Sequence, residues 1–123
     1  MKSQVLKINP VAKPRMTRRD VWLDPPRPCV AKYWKFKDEL LWASKKIDIC
    51  WEPLSLTFCI PMSKSWSKKK QMANHMEKHT STPDLDNLIK AFKDCLLTDD
   101  STIWHYGEMK KIWAYEGMII VHG

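Results

Sequence analysis

The chain has 123 residues, and its 21 Lys and Arg side chains against 14 Asp and Glu give a formal net charge of +7 at pH 7. This length fits one domain, residues 1–123, with its own hydrophobic core. The basic balance favours a polyanion such as nucleic acid as partner, with an ordinary basic protein as the alternative. The sequence contains no apolar stretch long enough to span a membrane and no secretory signal pattern, and its four cysteines are scattered. We therefore expect a cytoplasmic protein with reduced thiols and no membrane partner.

The first half of the chain is predicted to form a strand, a loop, a helix and a second strand. Residues 3–9 alternate loosely and predict a strand, whereas residues 10–29 carry five prolines among basic residues and predict a loop. Residues 30–47 predict a helix, because apolar side chains recur there at helical intervals. The residues expected to face the core are Val30, Tyr33, Trp34, Leu40, Leu41 and Ile47. Residues 53–60 alternate with period two and predict a strand.

A second helix is predicted over residues 83–97, with Thr82 as its N-cap and Pro83 as its first residue. Its apolar residues follow the i, i+3, i+4, i+7 pattern of a buried stripe, and they are Leu85, Leu88, Ile89, Phe92 and Leu96. The preceding residues, 62–81, are polar and basic, and predict either a short helix or a loop.

Residues 102–114 and 117–122 are predicted to form an antiparallel strand pair around Glu116 and Gly117. The complete order of elements is then strand, helix, strand, helix, strand, strand. That order predicts a single small α/β domain of the mixed α+β kind, in which two main helices pack on a mixed sheet.

Four carboxylates and one lysine lie close together in this otherwise basic chain: Asp84, Asp86, Lys90, Asp99 and Asp100. Asp84 and Asp86 would project to the same side at the entry to the helix, and Lys90 would share the face of Asp86. A strand returning beside the helix would bring Asp99 or Asp100 back to them. Such a cluster repels a polyanion unless a divalent cation lies between, and Mg²⁺ prefers carboxylate and phosphate oxygens. The pattern therefore predicts a metal-dependent nuclease site.

A purely structural interpretation of the same residues is also open. Asp84 and Asp86 could cap the helix and complement its dipole, and Lys90 could form surface ion pairs with Asp86 and Asp94. Asp99 and Asp100 fit that interpretation less well, because negative charge is mildly unfavourable beside the C-terminus of a helix.

The acidic motif consists of Asp84-Leu85-Asp86-Asn87-Leu88-x-Lys90, then Asp94, then Asp99-Asp100-Ser101. In these residues the chain resembles the RusA-like endodeoxyribonucleases, crossover junction (Holliday junction) resolvases of phage and prophage type. A weaker match extends over Lys13-Pro14-Arg15, Ile60-Pro61-Met62, Trp66-Ser67-Lys68-Lys69-Lys70 and a late lysine at Lys110 or Lys111. One departure is Ser81-Thr82-Pro83, which stands where some family members carry an arginine run.

The resemblance implies a Mg²⁺-dependent homodimer that resolves four-way DNA junctions by paired symmetric nicks in DNA recombination and repair, with Mn²⁺ as an alternative ion. By position it implies a catalytic set of Asp84, Asp86, Lys90 and Asp100. The implied metal ligands are Asp84, Asp86 and Asp100, with Asp99 as a helper.

Contacts to DNA phosphates are expected from two basic groups. The residues predicted to bind DNA are Arg15, Arg18, Arg19, Lys68, Lys69, Lys70 and Lys78, and Arg27 belongs to the same N-terminal group. Trp22 and Trp66 lie among these charges and either stack on unpaired bases or pack against the fold. His75 and His79 are expected to be solvated. The sequence does not show the dimer surface, for which the exposed parts of the final strands and the 30–47 helix are both candidates.

Two alternatives to a junction resolvase are retained. A non-catalytic basic DNA-binding protein would bind without metal and would cleave no branched substrate. A metal-dependent nuclease with another preference would act on flaps or replication forks.

Overall fold

The computed structural model describes residues 3–123, without the side chain of Asp100. Within this range the chain forms four strands, three α-helices and two 3₁₀ turns. The strands are β1 (Gln4–Leu6), β2 (Leu54–Pro61), β3 (Tyr106–Ala114) and β4 (Met118–Val121). The helices are α1 (Pro28–Ser44), α2 (Lys68–Asn74) and α3 (Leu85–Leu96), and the 3₁₀ turns cover Arg18–Val21 and Asp100–Thr102. No helix in the described residues has the length and apolar character needed to cross a membrane.

The four strands form one mixed sheet in the order β1-β4-β2-β3. β2 runs parallel to β3 and antiparallel to β4, and β1 runs antiparallel to β4. The predicted class, a small single domain with helices on a mixed sheet, is confirmed.

The predicted strand pair between β3 and β4 is wrong, because β2 lies between them. β2 is buried on both of its faces, through Leu56 and Phe58 on one and Thr57 and Cys59 on the other. A strand with two buried faces belongs in the interior of a sheet, and this outweighs the closeness of β3 and β4 in sequence. The connection from β3 to β4 therefore passes the end of β2. Just before β4, a Cβ on Gly117 would lie 1.9 Å from Oδ1 and 3.0 Å from Cα of Asn9, in the segment that follows β1, so the close approach favours glycine.

α1 and α3 pack on one face of the sheet and form the main core with it. This cluster includes Tyr33, Phe36 and Leu40 of α1, Leu54, Leu56 and Phe58 of β2, and Leu88, Ala91 and Phe92 of α3. A smaller cluster of Cys59, Ile112 and Ala114 lies on the opposite face. All four cysteines are free.

The predicted helices are present, but their ends are shifted, and the buried face of α1 differs from the predicted one. α1 begins at Pro28 and ends at Ser44, and Phe36 faces the core where Trp34 and Leu41 were expected to do so. The latter two are 40% and 38% exposed. α3 begins at Leu85, since Asp84 is the N-cap with extended backbone (ψ 141°), so the assignment of Thr82 as cap was wrong.

The segment between β2 and α3 contains α2 and then a stretch that covers the outer edge of β3. Met76 and His79 donate backbone hydrogen bonds to Trp113 and Lys111 (2.8 and 3.2 Å). The expectation that both histidines are solvated was wrong for His79, which is only 4% exposed and lies 4.1 Å from the Trp113 ring, centroid to centroid. Burial and the nearby Lys111 ammonium lower the pKa of His79. His75 stacks on Tyr115 at 4.3 Å.

Candidate active site

The acidic motif lies at the exposed start of α3. Asp84 occupies the N-cap position and Asp86 the first helical turn, and both side chains are exposed. Lys90 is exposed one turn further along, four residues after Asp86. The opposite side of the helix is buried through Leu88, Ala91, Phe92 and Cys95. Asp86 and Lys90 therefore share a solvent-facing row whose position is fixed by the packed side of the same helix.

The structural interpretation of these charges is supported only in part, because Asp86 lies in the first turn of α3 and complements the helix dipole, whereas the expected hydrogen bond and ion pairs do not form within the described residues. Asp84 stands at the N-cap, yet its side chain makes no capping hydrogen bond. Among the described side chains, Asp86 and Lys90 form no ion pair with each other. Asp94 pairs with Lys13 of the N-terminal loop instead of with Lys90. The carboxylates of Asp84 and Asp86 and the ammonium of Lys90 thus remain available for a ligand.

The N-terminal loop is fastened to α3 beside the motif. In addition to the Lys13–Asp94 ion pair, the backbone N–H of Lys13 donates to the carbonyl of Asn87 (3.2 Å). An open groove results between the loop and the helix, and Arg15 and Lys90 both line it. A predicted catalytic lysine and a predicted DNA-binding arginine are therefore brought to one groove.

Lys111 of β3 holds the chain immediately before Asp84. Its ammonium donates to the carbonyl of Pro83 (2.6 Å) and to that of Ser81. Lys111 pairs in register with Phe58 of β2, while its neighbour Lys110 forms a surface ion pair with Glu108 (3.4 Å). Of the two late lysines in the resemblance, Lys111 is therefore the one that holds the residues directly before the acidic motif.

Asp99 organises the turn that follows α3. Its Oδ1 accepts hydrogen bonds from the backbone N–H and the hydroxyl of Ser101 (3.0 and 2.5 Å). These hydrogen bonds from Ser101 favour the ionised carboxylate and lower the pKa of Asp99. The side chain of Asp100, predicted as the third metal ligand, lies outside the described part of the structure.

The donor set at the start of α3 suits a hard divalent cation. The exposed carboxylates of Asp84 and Asp86 offer oxygen ligands, and Mg²⁺ usually binds one or two carboxylates while keeping several waters. Within the side chains that the structure describes, no three His, Cys, Asp or Glu residues converge on an ion. The two described carboxylates thus offer ligands of the kind that Mg²⁺ uses.

The predicted DNA-binding residues of the N-terminal loop are exposed, whereas Arg27 of the same basic group forms contacts within the loop. Arg15, Arg18 and Arg19 are exposed to solvent. Arg27, by contrast, binds the buried Asp20 through Nε and Nη2 (2.7 and 2.8 Å) and also donates to the carbonyl of Arg15. The hydrogen bonds from Arg27 lower the pKa of Asp20 to about 2. Arg27 therefore braces the loop.

The second basic group is connected to the motif along the edge of β3. Lys68, Lys69 and Lys70 are exposed in the first turn of α2, and Lys78 is exposed where its segment bridges to Ile112. The same segment continues to Ser81 and Pro83, which Lys111 holds. The acidic motif consequently lies between two basic segments.

Trp66 packs against the fold. Its ring lies 4.8 Å from that of Trp113, and the Lys70 ammonium lies 4.0 Å from its centroid.

Lys13 and Lys111 are the site residues whose roles the residue patterns did not disclose. Both act through hydrogen bonds or ion pairs with partners far away in the sequence, which no periodicity reports. The only sequence signal for them was their place in the family resemblance.

Replacing Lys111 with Met is expected to slow metal-dependent DNA cleavage by about 10²-fold. The substitution removes the hydrogen bonds that hold the chain before α3. A displacement of a reacting group by about 1 Å can lower a reaction rate by that factor. The measurement is the single-turnover nicking rate on branched DNA. Lys110→Met is the matched control, since it removes an exposed lysine from the adjacent position and is expected to nick at the wild-type rate. Equal rates for both variants would contradict the anchoring role.

The family model described as Endodeoxyribonuclease RusA matches residues 8–121 of the chain. No curated protein and no solved structure matches it. The matched range contains α3, both basic segments and Lys111.

Proposed function

This chain belongs to the RusA endodeoxyribonuclease family, and from that premise we propose that it is a Mg²⁺-dependent endonuclease that resolves four-way DNA junctions. It would do so by paired symmetric nicks, in DNA recombination and repair. The observation that carries the proposal is that the acidic motif exposes charged side chains that the fold itself does not use. In a chain of net charge +7, Asp84 and Asp86 expose carboxylates, Asp84 makes no capping bond, and no ion pair joins Asp86 to Lys90.

Asp84, Asp86 and Asp100 are the proposed ligands of the metal. When bound, Mg²⁺ would polarise the phosphate and lower the pKa of a coordinated water. Asp99 would help indirectly, because its hydrogen bonds to Ser101 shape the turn that carries Asp100. Lys111 would keep Asp84 in place through the carbonyls of Pro83 and Ser81.

Lys90 is the proposed catalytic lysine. Its exposed ammonium would bind a non-bridging phosphate oxygen and stabilise the negative charge that grows there as a water attacks phosphorus. Arg15 lines the same groove and would bind a flanking phosphate, which fixes the scissile group against the helix.

The wider DNA contact would come from the two basic segments. Their exposed side chains, Arg15, Arg18, Arg19, Lys68, Lys69, Lys70 and Lys78, would neutralise phosphates on either side of the motif. Binding of this kind weakens steeply with salt and carries little sequence information. It suits an enzyme that recognises the shape of a branch.

A homodimer is part of the proposal, since a four-way junction is nearly two-fold symmetric and paired nicks need two equivalent sites. α1 offers a surface for it, because Trp34 and Leu41 are exposed seven residues apart, on the same face of that helix.

The test is incubation of the purified protein with a synthetic mobile four-way junction, with Mg²⁺ and with EDTA, followed by mapping of the nicks. We expect metal-dependent cuts at symmetric positions in two opposing strands, and no cuts in a linear duplex of the same sequence. Cuts confined to flap or fork substrates would mean that the substrate is another kind of branched DNA and not the four-way junction. Binding without any metal-dependent cleavage would overturn the enzyme assignment.

A further inference from the structure

The 3₁₀ turn Arg18–Val21 presents two apolar side chains to solvent. Val21 is 78% exposed and Trp22, which follows the turn, is 85% exposed. A tryptophan usually buries most of its large surface in a folded protein, so one that protrudes to this degree is available to a partner. Trp66, the other tryptophan among the basic residues, is half-buried against Trp113.

The turn that carries Trp22 is held rigidly. The Asp20 carboxylate is only 3% exposed and accepts hydrogen bonds from Arg27, from the backbone N–H of Thr17 (2.6 Å) and from the Thr17 hydroxyl (3.2 Å). Arg27 also donates to the carbonyl of Arg15 (2.9 Å), which joins the two ends of the loop. A side chain presented on a braced backbone loses less conformational entropy on binding than one on a loose loop.

The charges around Trp22 identify the class of partner. Arg15, Arg18 and Arg19 are exposed on the same loop, and the loop contains no exposed acid before Asp24. A second copy of a chain with net charge +7 would bring like charges to this surface. A nucleic acid matches it, since phosphates pair with the arginines and an unstacked base covers the indole.

Trp22 also belongs to the segment that lines the proposed active site. Met16, Arg15 and Lys90 share the groove beside α3. Trp22 comes six positions after Met16, so its backbone lies within about 20 Å of the groove, and the indole can reach further by its own length. A strand with a phosphate at Lys90 could therefore place a base only a few nucleotides away on Trp22.

We propose that Trp22 is a stacking platform for an unpaired base at a DNA branch point, with Arg18 and Arg19 on the adjacent phosphates. This inference rests on the proposed function in so far as branched DNA is the substrate. It assigns recognition of the open branch to the N-terminal loop, separately from the acidic motif that cuts.

The test compares Trp22→Ala, Trp22→Phe and the control Trp42→Ala, which removes a tryptophan that is 66% exposed on α1. Dissociation constants are measured in EDTA for a four-way junction and for a linear duplex of equal length. Trp22→Ala is expected to weaken junction binding about tenfold and duplex binding less than about twofold, in line with the stacking energy of one base on an aromatic ring. Trp22→Phe should stay within about threefold of wild type, and Trp42→Ala should match wild type on both DNAs.

A 2-aminopurine placed at the branch reports the stacking directly. Its fluorescence should be quenched by wild type and by Trp42→Ala, and not by Trp22→Ala. The inference is overturned by equal losses on junction and duplex, by wild-type affinity of Trp22→Ala, or by a wild-type protein that does not prefer the junction. Thermal unfolding of each variant establishes that it is folded, which the exposure of both tryptophans leads us to expect.

Failure of this inference differs visibly from failure of the proposed function. If the wild-type protein nicks with Mg²⁺ and Trp22→Ala binds the junction with wild-type affinity, the stacking role of Trp22 is contradicted and the nuclease proposal stands. Selective loss of junction binding in Trp22→Ala, with no nicking by any form of the protein, would remove the nuclease and leave a branch-binding protein.

Discussion

Replacing Asp86 with Asn is expected to lower Mg²⁺-dependent nicking of a four-way junction by at least about 10³-fold while junction binding is retained or improved. The loss corresponds to about 4 kcal/mol of barrier, which is in the range of the several kcal/mol that a metal ion supplies to a phosphoryl transition state. Binding should persist, because Asn keeps the shape of the exposed side chain and removes a charge that repels phosphate.

The measurement is the single-turnover nicking rate beside the dissociation constant of the same junction in EDTA. Asp38→Asn is a suitable control, since Asp38 is exposed on α1 and the substitution changes the net charge by the same amount. Wild-type nicking by highly purified Asp86→Asn protein would remove Asp86 from the catalytic set.

Replacing Phe92 with Ala is expected to destabilise the fold by about 3–5 kcal/mol, the usual range for a phenylalanine truncated in a packed core. Phe92 is fully buried on α3 and its ring lies 6.0 Å from that of Trp51, centroid to centroid. Domains of this kind have about 5–15 kcal/mol of stability in total, so the variant should be only marginally folded.

Urea unfolding followed by tryptophan fluorescence gives the size of this effect. Phe92→Leu should lose less, because more of the volume is kept, and Asp86→Asn should unfold close to the wild-type midpoint. A wild-type midpoint for Phe92→Ala would mean that α3 is not seated on the core as described. The contrast between the two variants separates loss of chemistry from loss of the helix that carries it.

The parts of the fold that could be predicted from sequence are those with strong local periodicity. The apolar stripe of α3 is a clear 3.6-residue pattern, and Leu88 and Phe92 are buried as it indicates. The two faces of α1 are less distinct, because Trp34 and Leu41 are apolar yet exposed, and the pattern does not say which apolar residue faces inward. The position of β2 between β3 and β4 is decided by long-range packing, which periodicity does not contain.

For the candidate site, sequence reasoning located the exposed row of Asp86 and Lys90, because helix geometry converts spacing into a shared face. It could not assign Asp94 to Lys13 or the Pro83 carbonyl to Lys111, since those contacts join distant segments. The burial of His79 was missed for the same reason. A histidine amid lysines looks solvated until the edge of β3 is known to lie beside it.

The place of β4 in the sheet has a consequence for how the protein reaches its native state. β4 pairs with β1 through Val121 and Gln4, which come from opposite ends of the sequence, and with β2 on its other side. Because both neighbours of β4 in the sheet lie far from it in the sequence, the sheet cannot be completed by forming hairpins between consecutive strands. Closing such long loops is entropically expensive before any contact rewards it. The rate of refolding should accordingly be limited by the pairing of β4 with β1 and β2, on a time scale of milliseconds to seconds.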